Sequence, residues 1–129
     1  MPPLTHAVVE QIDDNTSRTS VEEIARYLQA GLGQRVTAYL IGAADPKQVG
    51  AYARGAAISD VRARRLREGY KIVRMIETPY DMETAKAWLF GTNARLDDQA
   101  PIELIASATK TEQFADVRRA ARQFATAEV

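Results

Sequence analysis

AKAWLFGTNARLDDQAPIELI, residues 85–105, puts the chain's single tryptophan near the end of an apolar helical run. Gly91 and the polar stretch TNARLDDQA break the run, and Pro101 then opens a second apolar segment, PIELIAS. Proline lacks an amide proton and has a preset φ, so it fits the first turn of a helix, not its middle. The stretch therefore reads as a joint between two helices with an aromatic anchor, Trp88, on the first.

The same punctuation continues outward. Downstream, Phe114, Val117, Ala121 and Phe124 recur three or four apart and predict a last helix over about residues 112–126. Upstream, Ser20 followed by Glu23 is a capping-box signature, and Val21, Ile24, Ala25 and Leu28 follow at helical spacing until Gly31 and Gly33. A second helix is expected over residues 34–41, with Val36, Tyr39 and Leu40 on its apolar side and Gly42 closing it. Asp45-Pro46 starts a short helix that stops at Gly55. Ser59 or Asp60 caps a long helix reaching about residue 77, with Val61, Leu66, Tyr70, Val73 and Ile76 facing one way and Pro79 blocking its continuation. A further helix spans about residues 81–90, with Ala85, Trp88 and Leu89 buried. Residues 1–18, polar and opening on Pro2-Pro3, read as a flexible tail. No stretch has the alternation of a strand, so the expected fold class is all-α. The expected division is a tail over 1–18, a helix-turn-helix-like domain over 19–77 and a C-terminal module over 78–129.

Composition narrows the function classes. With 46% hydrophobic residues the chain can bury a core. It has no cysteine, which excludes disulfides, thiolate metal sites and a cysteine nucleophile. His6 is the only histidine, so a histidine triad or histidine metal cluster cannot be assembled from one chain. The seven glycines are scattered, without a phosphate-binding loop. Asp13-Asp14 and Asp97-Asp98 are adjacent acids on polar stretches, without a second group to complete an acid–base pair. No catalytic residue, metal site or cofactor is expected, and binding is the function class to pursue. The opening MPPLTHAVVEQIDDN lacks a basic and an apolar signal region, and no apolar run is long enough to span a bilayer. A cytoplasmic location with no membrane partner is the expectation.

Charge is unevenly placed although the total is zero. Residues 34–74 carry net +6, between flanks of net −3 each. A concentrated basic middle suits an anionic partner, DNA phosphate above all. The segment LGQRVTAYLIGAADPKQVGAYARG, residues 32–55, has the organisation of a helix-turn-helix: Ala38 at a close crossing, Gly42 at the turn and Val49 packing back. Such a motif seats its second helix in the major groove. Lys47 and Gln48 would meet base edges, with Tyr52 and Arg54 further along. In the following run, Arg64, Arg67 and Lys71 fall at i, i+3 and i+7, a stripe suited to phosphates. The alternative for the stripe is pairing with the acidic flanks of the same chain or of a partner subunit.

The opening stretch resembles the C-terminal toxin-binding module of the Xre–MbcA–ParS class of antitoxins. The matching residues are Trp88, Leu89, Asn93, Leu96, Pro101 and Leu104, then Val117 in the last helix. The half before it, AYLIGAADPKQVGAYARG followed by RRLREGYKIVRMI, is similar to the Xre-like helix-turn-helix that precedes the module, so the resemblance covers about residues 32–125. Two features depart from the pattern. The family's turn often has a glycine where this chain has LDDQAP, and its last helix commonly ends on a glycine and an apolar tail where this chain has RRAARQFATAEV. The resemblance implies an antitoxin of a type II pair. It would neutralise a RES-domain, NAD-consuming toxin by direct contact, dimerise, and repress its own operon by binding operator DNA. It implies a toxin-binding or dimer interface at Trp88, Leu89, Asn93, Leu96, Pro101, Leu104 and Phe124. Rival expectations are a stand-alone Xre-like transcription regulator and a helical adaptor that no longer binds DNA.

Overall fold

A computed structural model describes residues 3–126. Among these residues the chain is helical throughout, with no strand beyond one isolated bridge between Asn93 and Gln99. The order is α1 (His6–Arg18), α2 (Val21–Leu32), α3 (Gln34–Ile41), α4 (Lys47–Ala53), α5 (Asp60–Glu77), α6 (Met82–Phe90), a 3-10 turn (Ala94–Leu96), α7 (Pro101–Ser107) and α8 (Thr111–Ala125). The all-α expectation holds.

Side-chain caps set most helix starts. The Ser20, Ser59 and Asp81 side chains accept the backbone amides of Glu23, Arg62 and Thr84. Asp45 accepts the Lys47 amide at 2.9 Å. Each satisfies a donor that a helix start leaves without a partner. Gly42 ends α3 with φ +73, a left-handed conformation that costs a residue with a Cβ. Pro101 opens α7, as its chemistry requires.

Helix α5 is the spine. It packs against α1, α2, α3, α6, α7 and α8. Its Leu66, Ile72, Val73 and Ile76 are fully enclosed, with Ile24 and Leu28 of α2, Leu40 and Ile41 of α3, Ile102 and Ile105 of α7, and Phe114 of α8. These residues form one cluster drawn from both expected domains. The boundary near residue 77 is therefore a turn at Pro79, not a gap in the core.

Four expectations are corrected. The tail over 1–18 is instead helix α1 from His6 onward, capped by Thr5 (residues 1–2 lie outside the described residues). Leu4, Val9 and Ile12 bury against the rest of the chain, and the intervening polar residues hide that spacing. Gly31 does not end α2: it lies within it, where Met82 of α6 occupies the place of a side chain. Tyr39 and Val61 face solvent, at 50% and 42% exposure, at positions predicted to be apolar. Trp88 is half-buried, not enclosed.

Candidate functional site

Three surfaces follow from the predicted site residues. The first is the α3–α4 pair. Ala38 and Val49 are buried where the two helices meet, and the Gly42 amide bonds back to the Tyr39 carbonyl at 3.1 Å. Lys47 of α4 and Arg54, which caps its C-terminus, are exposed, and Gln48 is half-exposed. Tyr52 is not on that surface. It is 6% exposed, and its hydroxyl accepts a bond of 2.8 Å from the Arg62 guanidinium. Tyr52 is a strut between α4 and α5 and cannot reach a base edge. Sequence reasoning missed Gln34, which joins α3 to α2 by donating to Gln29 at 2.9 Å. Gly50 makes room for it: a Cβ there would stand 2.9 Å from the Gln34 amide nitrogen and 3.3 Å from an Arg54 nitrogen.

The second surface is the basic run on α5, and most of it faces inward. Arg65 donates to the Ile41 carbonyl at 3.2 Å and the Ala108 carbonyl at 3.0 Å, holding the ends of α3 and α7 together. Arg62 bonds Tyr52. Arg67 donates to the Thr16 and Thr19 carbonyls at 2.8 and 2.9 Å, at the end of α1. Lys71 lies 3.5 Å from both Asp13 and Glu68. Helix C-termini present unpaired carbonyls and a partial negative charge, which is what a guanidinium satisfies. Arg26 of α2 does the same for the Ala53 carbonyl at the end of α4. The three-residue phosphate stripe is thus reduced to exposed Arg64, which has no ion pair among the described residues. Arg67 is committed to carbonyls at the end of α1 and Lys71 to Asp13 and Glu68, of which the Asp13 contact is the expected pairing with an acidic flank. Glu68, 8% exposed, is itself gripped by both oxygens from Arg118 of α8. A buried carboxylate needs such partners, because desolvation penalises its charge.

A parallel polar cluster ties α2 to α5. The Tyr27 hydroxyl donates to Glu77, the Arg74 guanidinium carbon lies 5.8 Å from the Tyr27 and Tyr70 ring centres, and those two rings meet edge to face at 5.2 Å. Burial, followed by the bond to Glu77, pushes the Tyr27 phenol well above its ordinary value.

The third surface lies on the C-terminal helices. Trp88 of α6 and Phe124 of α8 have ring centres 6.2 Å apart, and Tyr80, just before α6, lies 5.4 Å from Phe124 on the other side. The three rings form a row. Tyr80 is 36% exposed, and Phe90 at the end of α6 is 49% exposed. Tyr80 and Phe90 were missed, because a turn tyrosine and a helix-end phenylalanine carry no periodic signal. The other residues of the predicted interface do different work. Leu89, Leu96 and Pro101 are buried within this chain, so they support the surface without forming it. Asn93 builds the turn: its side chain accepts the Arg95 amide at 3.0 Å and its carbonyl accepts the Asp98 amide at 2.8 Å. Leu104 is half-buried and lines an open recess of about 240 Å³ with Arg95, Leu96, Gln99, Arg119 and Gln123. Asp97, which also lines it, and the next residue, Asp98, hold φ values of 54 and 62.

Among the described residues no group of acids and histidine could hold a metal ion, and no helix is long and apolar enough to cross a membrane. No family model, no curated protein and no solved structure matches the chain.

Proposed function

We propose that the chain is the antitoxin of a type II toxin–antitoxin pair of the Xre–MbcA–ParS kind. It acts in the cytoplasm as a homodimer and neutralises a RES-type, NAD-consuming toxin by covering it. It performs no chemistry of its own. The observation that carries this reading is the partly exposed aromatic row of Tyr80, Phe124 and Trp88. Trp88 and Phe124 were expected at the partner interface from the resemblance alone, and they come together at the surface from different helices. Exposed aromatic clusters of this kind supply the anchors of protein interfaces.

In the same proposal the α3–α4 pair is a helix-turn-helix that binds operator DNA and represses the chain's own operon. Its support is exposed Lys47 and half-exposed Gln48 on α4 with exposed Arg54 just after it, tied from behind by Arg26 and by the Arg62–Tyr52 bond. The same face favours a second reading, a stand-alone Xre-like regulator whose aromatic row serves dimerisation only.

Co-expression with each adjacent reading frame, followed by size-exclusion chromatography and a growth assay, separates the two. The antitoxin reading expects one neighbour that is toxic alone, harmless with this chain and co-eluting with it. A protein that binds its operator and finds no such neighbour is the regulator.

A further inference from the structure

Helix α1 lies along α5, and its two ends are held differently. Its N-terminal half is anchored by Leu4, Val9 and Ile12, with His6 at 3.2 Å from Arg122 of α8. Its C-terminal half is held by charge. Arg67 takes the Thr16 and Thr19 carbonyls, and Lys71 faces Asp13. An open cavity of about 350 Å³ lies at this end, lined by the cations Arg64, Arg67 and Lys71 and the acids Asp60 and Glu68, with Thr16 and Ser17 of α1. A helix C-terminus carries about half a negative charge, and Asp13 adds a full one. Together they occupy Arg67 and Lys71 as an anion would.

We propose that α1 is an autoinhibitory cover over a nucleic-acid phosphate site. Docked, it holds Arg67 and Lys71. Displaced, it leaves Arg64, Arg67 and Lys71 at i, i+3 and i+7 along one face of α5, open to the phosphodiester backbone. Glu68 stays 3.5 Å from Lys71 in either arrangement, and Arg118, bonded to both its oxygens, shares its charge. The proposal rests on the DNA-binding half of the function above and adds a control on it: affinity for duplex is set by whether α1 is docked.

The test uses the full chain, a random-sequence duplex and a salt titration, with hydrogen exchange over α1 to report docking. Ile12→Asp places a carboxylate in the apolar anchor. It is expected to speed exchange in α1, raise duplex affinity about tenfold at low salt, and steepen the log–log salt slope by about 1.8, the release from two further phosphates. Adding Arg67→Gln and Lys71→Gln is expected to return both to wild-type values. Asp13→Asn, at an exposed position, keeps the test open if Ile12→Asp does not fold. It removes the α1 carboxylate from Lys71, leaving Glu68 beside it, and should steepen the slope by at most about 0.9. Glu10→Gln removes the same charge from α1 away from the stripe and should leave the slope unchanged. Undocking with no change in affinity or slope, in a chain whose wild type binds duplex, overturns the cover. Absence of binding by every form overturns the cover together with the DNA-binding reading.

Discussion

Trp88 and Phe124 come from different helices, and their rings lie 6.2 Å apart at a mutual tilt of 37°. Both are half-buried, so each spends part of its surface on the other and part on solvent. Phe114, on the same helix as Phe124, is 1% exposed. Truncation should separate the two environments. Phe114→Ala is expected to cost about 3–5 kcal/mol, the range for an enclosed aromatic, and Trp88→Ala only about 1–2 kcal/mol. Urea denaturation reads both. A Trp88→Ala loss as large as that of Phe114→Ala would make the tryptophan a core residue and remove the case for an interface.

The exposed and inward cations should behave differently toward DNA. Lys47→Gln with Arg54→Gln is expected to flatten the salt slope of operator binding by about 1.8 and leave thermal stability unchanged. Tyr52→Phe, which removes the acceptor for Arg62, should instead cost about 1 kcal/mol of stability and leave the slope as it was. Salt-dependent anisotropy and thermal melts check the pair. A slope change with Tyr52→Phe and none with the double variant would reverse the assignment.

Asp97 and Asp98 occupy left-handed backbone that a Cβ disfavours. Asp97→Gly should therefore raise stability by about 0.5–1 kcal/mol, the left-handed strain relieved outweighing the chain entropy added. A loss on equilibrium unfolding would mean that the aspartate side chain stabilises this turn.

The raised Tyr27 phenol makes an alkaline prediction. Above pH of about 10 the unfolded tyrosine releases its proton while the folded one keeps it, so the unfolded state gains. Stability from Tyr27 is complete at neutral pH and is lost as the solution becomes more alkaline. Wild type should lose stability above pH of about 10 more steeply than Tyr27→Phe. Parallel curves would show that the hydroxyl does not distinguish the two states.

The helix starts were legible because their signals are local: Ser20, Ser59 and Pro101 act within one turn of themselves. The turn at Gly42 was legible for the same reason. Helix α1 was not, because its apolar residues are few and its stability comes from α5, distant in sequence. The fate of the basic run was illegible for a related reason. Arg65 and Arg67 sit beside Arg64 in sequence, but what each meets is set by which helix ends pack against α5. Sequence marked Trp88 and Phe124 and could not show that they meet, or that Tyr80 extends the row.

The central claim is that this chain silences an NAD-consuming partner through its aromatic face. The most direct measurement is cellular NAD during induction of the neighbouring reading frame, with wild type or with Trp88→Ser and Phe124→Ser together. NAD is expected to collapse with the neighbour alone, hold at the uninduced level with wild type, and collapse again with the double variant at equal protein abundance. NAD unmoved by every neighbour, or protected equally by the double variant, would contradict the account.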